Sequence, residues 1–197
     1  LKIHLINNDF KSIESLYQLE HRLAILFYNT SDLNSALNYS QQVEENLTIL
    51  VNNDLDNFLF KEDFLWNQLL LAQLFINKKE IDLSSEHLHK ANELINQFNS
   101  PENKDSTTQN KRIAKANIYL LQFQAQVMML NNQQKSAHIA ITEATELFKE
   151  HLSIDNDLAL YARITLTKAS ITNTLNNTDS ALMHTELTTI KTLLENH

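Results

Sequence analysis

The chain has 197 residues, with no glycine, no cysteine and a single proline, Pro101. Gly normally makes up about 7% of a chain; without it a Walker loop, a Rossmann fingerprint and a nucleophile elbow are excluded. The lack of Cys excludes disulfides, thiolate metal sites and Cys nucleophiles, and the formal charge of −8 is opposite to the basic face of a nucleic-acid binder.

Taken in chain order, the apolar period is helical nearly throughout. A first helix pair is expected over 9–53, with an apolar stripe in 13–27 and a polar turn of Asn29, Thr30, Ser31 and Asp32. Asp32 is the expected N-cap of its second helix. A second pair covers 58–98, with a stripe in 64–75, a turn at Asn77, Lys78 and Lys79, and Ser85 as the expected cap. The segment 99–109 holds the only proline and reads as a loop, in which Ser106 and Gln109 resemble a capping box. A third pair covers 110–151, with a stripe in 118–130 and a turn at Asn131 and Asn132. Its second helix buries Ala137, Ala140, Ile141, Ala144, Leu147 and Phe148 along one face. A fourth pair covers 155–195, with its turn at Asn176, Asn177, Thr178 and Asp179, and Thr178 as cap. Asn tolerates the left-handed turn conformation better than other non-Gly residues, and the chain has 24 of them. The expected fold is all-α, one domain over 1–197 with about eight antiparallel helices.

The pairs share a pattern of small residues. Ala24, Ala72, Ala125 and Ala169 lie late in the first helix of each pair, and Ala36, Ser84, Ala137 and Ala181 follow twelve residues later. Phe27, Phe75 and Met128 stand three after the first small residue, and Val43, Ala91, Ala144 and Thr188 seven after the second. Small side chains at a helix crossing let two backbones approach while bulkier neighbours fill the grooves. Each hairpin leaves an apolar face for the next to cover, which is the logic of a solenoid.

These residues resemble the tetratricopeptide repeat family, most clearly in Ala125, Met128, Ala137, Ile141 and Ala144, and in Leu71, Ala72, Phe75, Ser84, Leu88 and Ala91. Successive copies are 48, 53 and 44 residues apart, against about 34 in the standard repeat. The longer repeat is similar to the kinesin-light-chain type, or to the sensor region of large bacterial LuxR-type activators. The family's turn glycine and closing proline are absent, and Asn, Asp, Ser and Lys stand at the turns. The resemblance implies a right-handed α-solenoid of about four helix pairs. It also implies a place as the interaction or regulatory region of a multidomain bacterial regulator.

Candidate chemistry is sparse. Glu86 and His89 have the Glu-x-x-His spacing of a di-iron helix, but no second such motif exists in the chain. His87 and His89 flank Leu88 and cannot share one helical face. The Glu86 and His89 spacing reads as a solvated face, with Glu86 and Lys90 an i,i+4 pair. Lys111, Arg112 and Lys115 likewise read as a solvated face. No catalytic residue, metal or cofactor is expected. The longest apolar run, 69–76, is broken by Gln73 and falls short of the ~18 residues that span a bilayer. No membrane association and no direct nucleic-acid contact are expected. No signal peptide is evident and the chain begins with Leu, so it reads as a cytoplasmic fragment of a longer protein, with the periplasm left open.

In the resembled family the first helix of each pair lines the ligand groove. Carried over, the first pair presents Gln18, His21, Ile25, Tyr28 and Asn29, and the second Trp66, Leu69, Gln73, Ile76 and Asn77. The third presents Tyr119, Gln122, Gln126, Met129 and Leu130, and the fourth Arg163, Leu166, Ser170 and Asn173. Carboxamides offer both donors and acceptors to a peptide backbone, and Tyr28, Trp66 and Tyr119 can anchor by burial. The chaperone-tail binders of that family clamp a terminal carboxylate with Lys, Arg and Asn; His21, Ile25, Tyr119 and Phe123 stand in those places here. The expected activity is non-catalytic binding of a protein, a peptide or another domain of the same polypeptide. The alternatives are a small-molecule sensor, a structural module whose exposed end helices pack on the next repeats or on a second copy as a homodimer, and a metal-carboxylate helical enzyme.

Overall fold

The computed structural model describes residues 2–100, 107–176, 185 and 188–192. Among the described residues the chain forms α1 (Lys2–Asn29), α2 (Leu33–Asn53), α3 (Phe58–Lys78), α4 (Ile81–Phe98), α5 (Thr107–Leu130), α6 (Gln134–His151) and α7 (Ile154–Asn176). Residues 188–192 are also helical, and no described residue is in a strand. The fold is all-α with adjacent helices packed in pairs, as the apolar period predicts. Helix starts differ from expectation: α1 begins before residue 9 and α5 before residue 110.

Local chemistry explains most of the boundaries. Asp32 caps α2 as expected, with Oδ1 accepting from the Ser35 N–H at 3.1 Å and Oδ2 from the Ser35 hydroxyl at 2.7 Å. Those bonds, the hydroxyl's first, hold the Asp32 carboxyl below its ordinary pKa. Asn57 caps α3 through Oδ1, which accepts from the N–H groups of Leu59 and Phe60 at 3.1 and 3.2 Å. The expected cap at Ser85 is incorrect. α4 already begins at Ile81, and the Ser85 hydroxyl donates back to the Ile81 carbonyl at 2.9 Å. The helix starts early because the chain reverses immediately after α3. Ser106 and Thr178, named as capping residues, and Ala181, named as a small repeat position, lie outside the described residues.

Three hairpin turns close in the same way. Ser31, Lys79 and Asn132 have φ of 64°, 62° and 58°, the left-handed region that Gly occupies at lowest cost. Each donates its N–H to the carbonyl three residues back: Tyr28, Ile76 and Met129. The following residue donates to the carbonyl five back: Phe27, Phe75 and Met128. That pair of bonds is the Schellman closure of a helix C-terminus. The left-handed residue falls seven positions after Ala24, Ala72 and Ala125 in turn, so turn and crossing keep one register.

The chain divides into two compact units, Leu1–Leu94 and Ile95–His197. In the first, α1 packs on α2 and α2 on α3, around buried Tyr17, Val43, Leu47 and Leu50, with Ile13, Phe60 and Phe64 against them. In the second, α5 packs on α6 and α6 on α7, around Ile118, Leu121, Ile141, Phe148, Leu160, Ile164 and Ile171. The small residues sit where backbones approach: Ala24, Ala36, Ala72, Ser84, Ala125, Ala137 and Ala169 are all buried. Val43, Ala91 and Ala144 are buried as well, whereas Thr188 is exposed.

Candidate functional site

In the second unit the first helices of the third and fourth predicted pairs lie side by side. Tyr119 and Phe123 stand one turn apart on α5, their ring centroids 5.9 Å apart. The Arg163 guanidinium of α7 lies over both rings, 5.6 Å from the Tyr119 centroid and 5.5 Å from that of Phe123. Such cation–π contacts contribute about 0.5–1 kcal/mol at partly exposed sites and orient the guanidinium plane. One turn away, Lys115 of α5 is paired with Asp157 of α7. Asp157 itself departs from helical geometry, with φ −131° and ψ 32° near the start of α7.

The expected groove residues of this unit divide by burial. Tyr119, Gln126, Met129, Arg163 and Leu166 are half-buried, while Leu130 and Ser170 are exposed. Gln122, expected at the groove surface, is buried instead at 1% exposure. Its amide nitrogen lies 3.4 Å from the Thr167 hydroxyl oxygen, and that hydroxyl donates to the Arg163 carbonyl at 2.8 Å. Its Oε1 has no hydrogen-bond partner among the described residues. Gln122 therefore supports the contact between α5 and α7 from beneath the rings. Asn173 belongs to α7, but its side chain lies outside the described residues.

In the first unit α1 meets α3 through Tyr17, whose hydroxyl donates to Asp63 Oδ2 at 2.9 Å and whose ring meets Phe60 edge-on at 6.3 Å. Burial first, then the Asp63 charge, pushes the Tyr17 pKa well above its ordinary value. His21, one turn further along α1, is half-buried, and its Nδ1 has no hydrogen-bond partner among the described residues. Burial lowers its pKa, while the Asp63 charge pulls the other way. Gln18, Ile25 and Asn29 are exposed and Tyr28 and Trp66 half-buried. On α3, Leu69, Gln73 and Ile76 are buried rather than groove-lining, because every residue from Leu71 to Ile76 is enclosed. Gln73 donates its amide to exposed Asn77 at 3.0 Å.

His87 and His89 do lie on different faces of α4, and His87 is the buried one. His87 is 6% exposed, stacked on Phe75 with centroids 5.3 Å apart and planes 10° apart. Its Nδ1 lies 2.7 Å from Gln68 Oε1, and Gln68 donates to Glu44 Oε1 at 3.0 Å. Lys90 joins Glu44 at 3.2 Å and Glu86 at 2.9 Å, so the expected pair of Glu86 with Lys90 is present. Asn67, beside Gln68, exchanges hydrogen bonds with Ser40: the Ser40 hydroxyl donates at 2.8 Å and Asn67 donates to the Ser40 carbonyl at 2.9 Å. Sequence reasoning missed this buried polar seam between α2, α3 and α4. A helical signal was present, since His87 falls three after Ser84 and four before Ala91 on the inward stripe.

Among the described residues no three His, Cys, Asp or Glu side chains gather closely enough to hold a metal ion. Exposed His89 instead faces Glu93 at 3.5 Å. No described helix is long and apolar enough to cross a membrane. No family model, curated protein or solved structure matches the chain.

Proposed function

We propose that the chain is a non-catalytic, tetratricopeptide-like module that binds a protein or peptide partner as an interaction or regulatory region. The observation that carries this reading is Arg163 of α7 lying over Tyr119 and Phe123 of α5. It sets two first helices beside each other, so that Tyr119, Gln126, Arg163 and Ser170 share a partly exposed face. A half-buried tyrosine backed by the buried Phe123 ring, with an oriented guanidinium and a nearby carboxamide, is the composition of a protein-binding hot spot. The Tyr17 contact between α1 and α3 is the same relation in the first unit. Two further regularities support a tetratricopeptide-like kind of repeat: the common Schellman closure at Ser31, Lys79 and Asn132, and the buried small residues locked in register with it.

The test is selection of random dodecapeptides on the immobilised chain, with the Tyr119→Ala/Arg163→Ala variant as competitor in solution. The reading expects peptides that survive competition because they need those two side chains. Peptides removed equally well by the variant would refute the proposed face.

A further inference from the structure

The second unit holds a cleft on the side of α5 turned away from Tyr119. At about 100° per residue, Asn110, Ala114 and Asn117 form one stripe of α5, and Tyr119 stands nearly opposite it. Those three, with Asn99 at the end of α4 and Leu147 and His151 of α6, line an open cleft of about 340 Å³. That volume lies at the lower end of the range for ligand sites.

The chemistry of the walls selects the ligand. Apart from the imidazole of His151, the described lining residues are uncharged, so they offer an ionic ligand no counter-charge. Three carboxamide residues line the cleft, Asn99 and Asn110 exposed and Asn117 half-buried, and none of their side chains is engaged in a hydrogen bond among the described residues. A carboxamide presents a donor and an acceptor side by side, the complement of a peptide main chain. Asn110 and Asn117 are two helical turns apart, about 10 Å, which is about three residues of extended chain at ~3.4 Å each. Ala114 and Leu147 supply an apolar surface between them for side chains of the bound segment.

The geometry points to this cleft as a site for an uncharged, extended peptide segment, held by its main-chain amides and distinct from the Arg163 face. The probe is acetyl-tetra-alanine amide, titrated into the ¹⁵N-labelled full chain; its N-methylated analogue, lacking peptide N–H groups, is the control. Saturable shifts are expected in the side-chain NH₂ signals of Asn99, Asn110 and Asn117, and the N-methylated analogue should bind at least tenfold more weakly. Asn117→Leu and the nearly isosteric Asn117→Asp should each weaken binding at least tenfold, with far-UV circular dichroism unchanged, while Ile139→Ala, at an exposed position of α6, leaves it within twofold. The proposal is overturned if those signals do not saturate, if the N-methylated analogue binds equally well, or if folded Asn117→Asp binds like the wild type.

Discussion

The Nδ1 atom of His87 lies 2.7 Å from Oε1 of Gln68, and Gln68 in turn gives its amide hydrogen to Glu44. Because Gln68 presents an acceptor to the ring, the buried imidazole keeps its proton on Nδ1. The groups facing it are Glu44 from α2 at 3.9 Å, Gln68 and Phe75 from α3, and Glu86 and Lys90 on its own helix. Burial is the largest influence and lowers the His87 pKa; the carboxylates of Glu44 and Glu86 oppose it and Lys90 assists it.

A pH dependence follows. The unfolded chain takes up a proton near the ordinary histidine pKa of about 6.5, and folded His87 does so at lower pH. Its contribution to stability is therefore complete above that ordinary value and is lost as pH falls from there towards the folded value. His21 has the same sign. Urea unfolding should show a midpoint that falls between pH 7.5 and 5.5, and His87→Asn, which can still donate to Gln68, should reduce that fall. An identical slope in the variant would show that His87 is not the titrating group.

The left-handed turn residues predict a second series. A non-Gly residue there costs about 1–2 kcal/mol, and Gly gives back about 0.5–1 kcal/mol through its larger unfolded-state freedom. Lys79→Gly and Ser31→Gly should each stabilise the fold by about 0.5–1 kcal/mol, and Asn132→Gly by less, since Asn tolerates this region. Chemical denaturation of the three variants gives the ranking. Destabilisation by Lys79→Gly would contradict the closure described for α3.

These turns also show what could be read in the sequence. Apolar period, residue size and Asp32 as a cap are local properties, so helix order, crossings and most turn positions could be read directly. The buried amides of α3 could not. Asn67 and Gln68 stand just before the apolar run 69–76 and Gln73 within it, and in such a setting a polar residue reads as the outward face. Only Ser40, Glu44 and Asn77 in space show why each is tolerated inside. His87 was missed for the related reason that it stands next to Glu86 and His89, which do face solvent. On the candidate face, Tyr119 and Arg163 were named from position in the pair, but their contact depends on residues 44 apart in the chain.

The α5–α6 crossing supplies a third prediction. Ala125 and Ala137 are both fully buried in one core with Ile118 and Ile141. Enlarging either to Leu should cost about 1–3 kcal/mol through overpacking, whereas Ile139→Ala, at a position 68% exposed, should change stability by less than about 0.5 kcal/mol. Equal effects at Ala125 and Ile139 would be incompatible with a close crossing.

The most direct test of the binding reading is titration of a selected peptide into the labelled chain, following the Arg163 Nε–H and Gln126 side-chain signals. The account predicts saturable movement of both signals and at least a tenfold loss of affinity in Tyr119→Ala and in Arg163→Ala, with helical content unchanged. Undisturbed Arg163 and Gln126 signals at saturating peptide, or wild-type affinity in both variants, would contradict it.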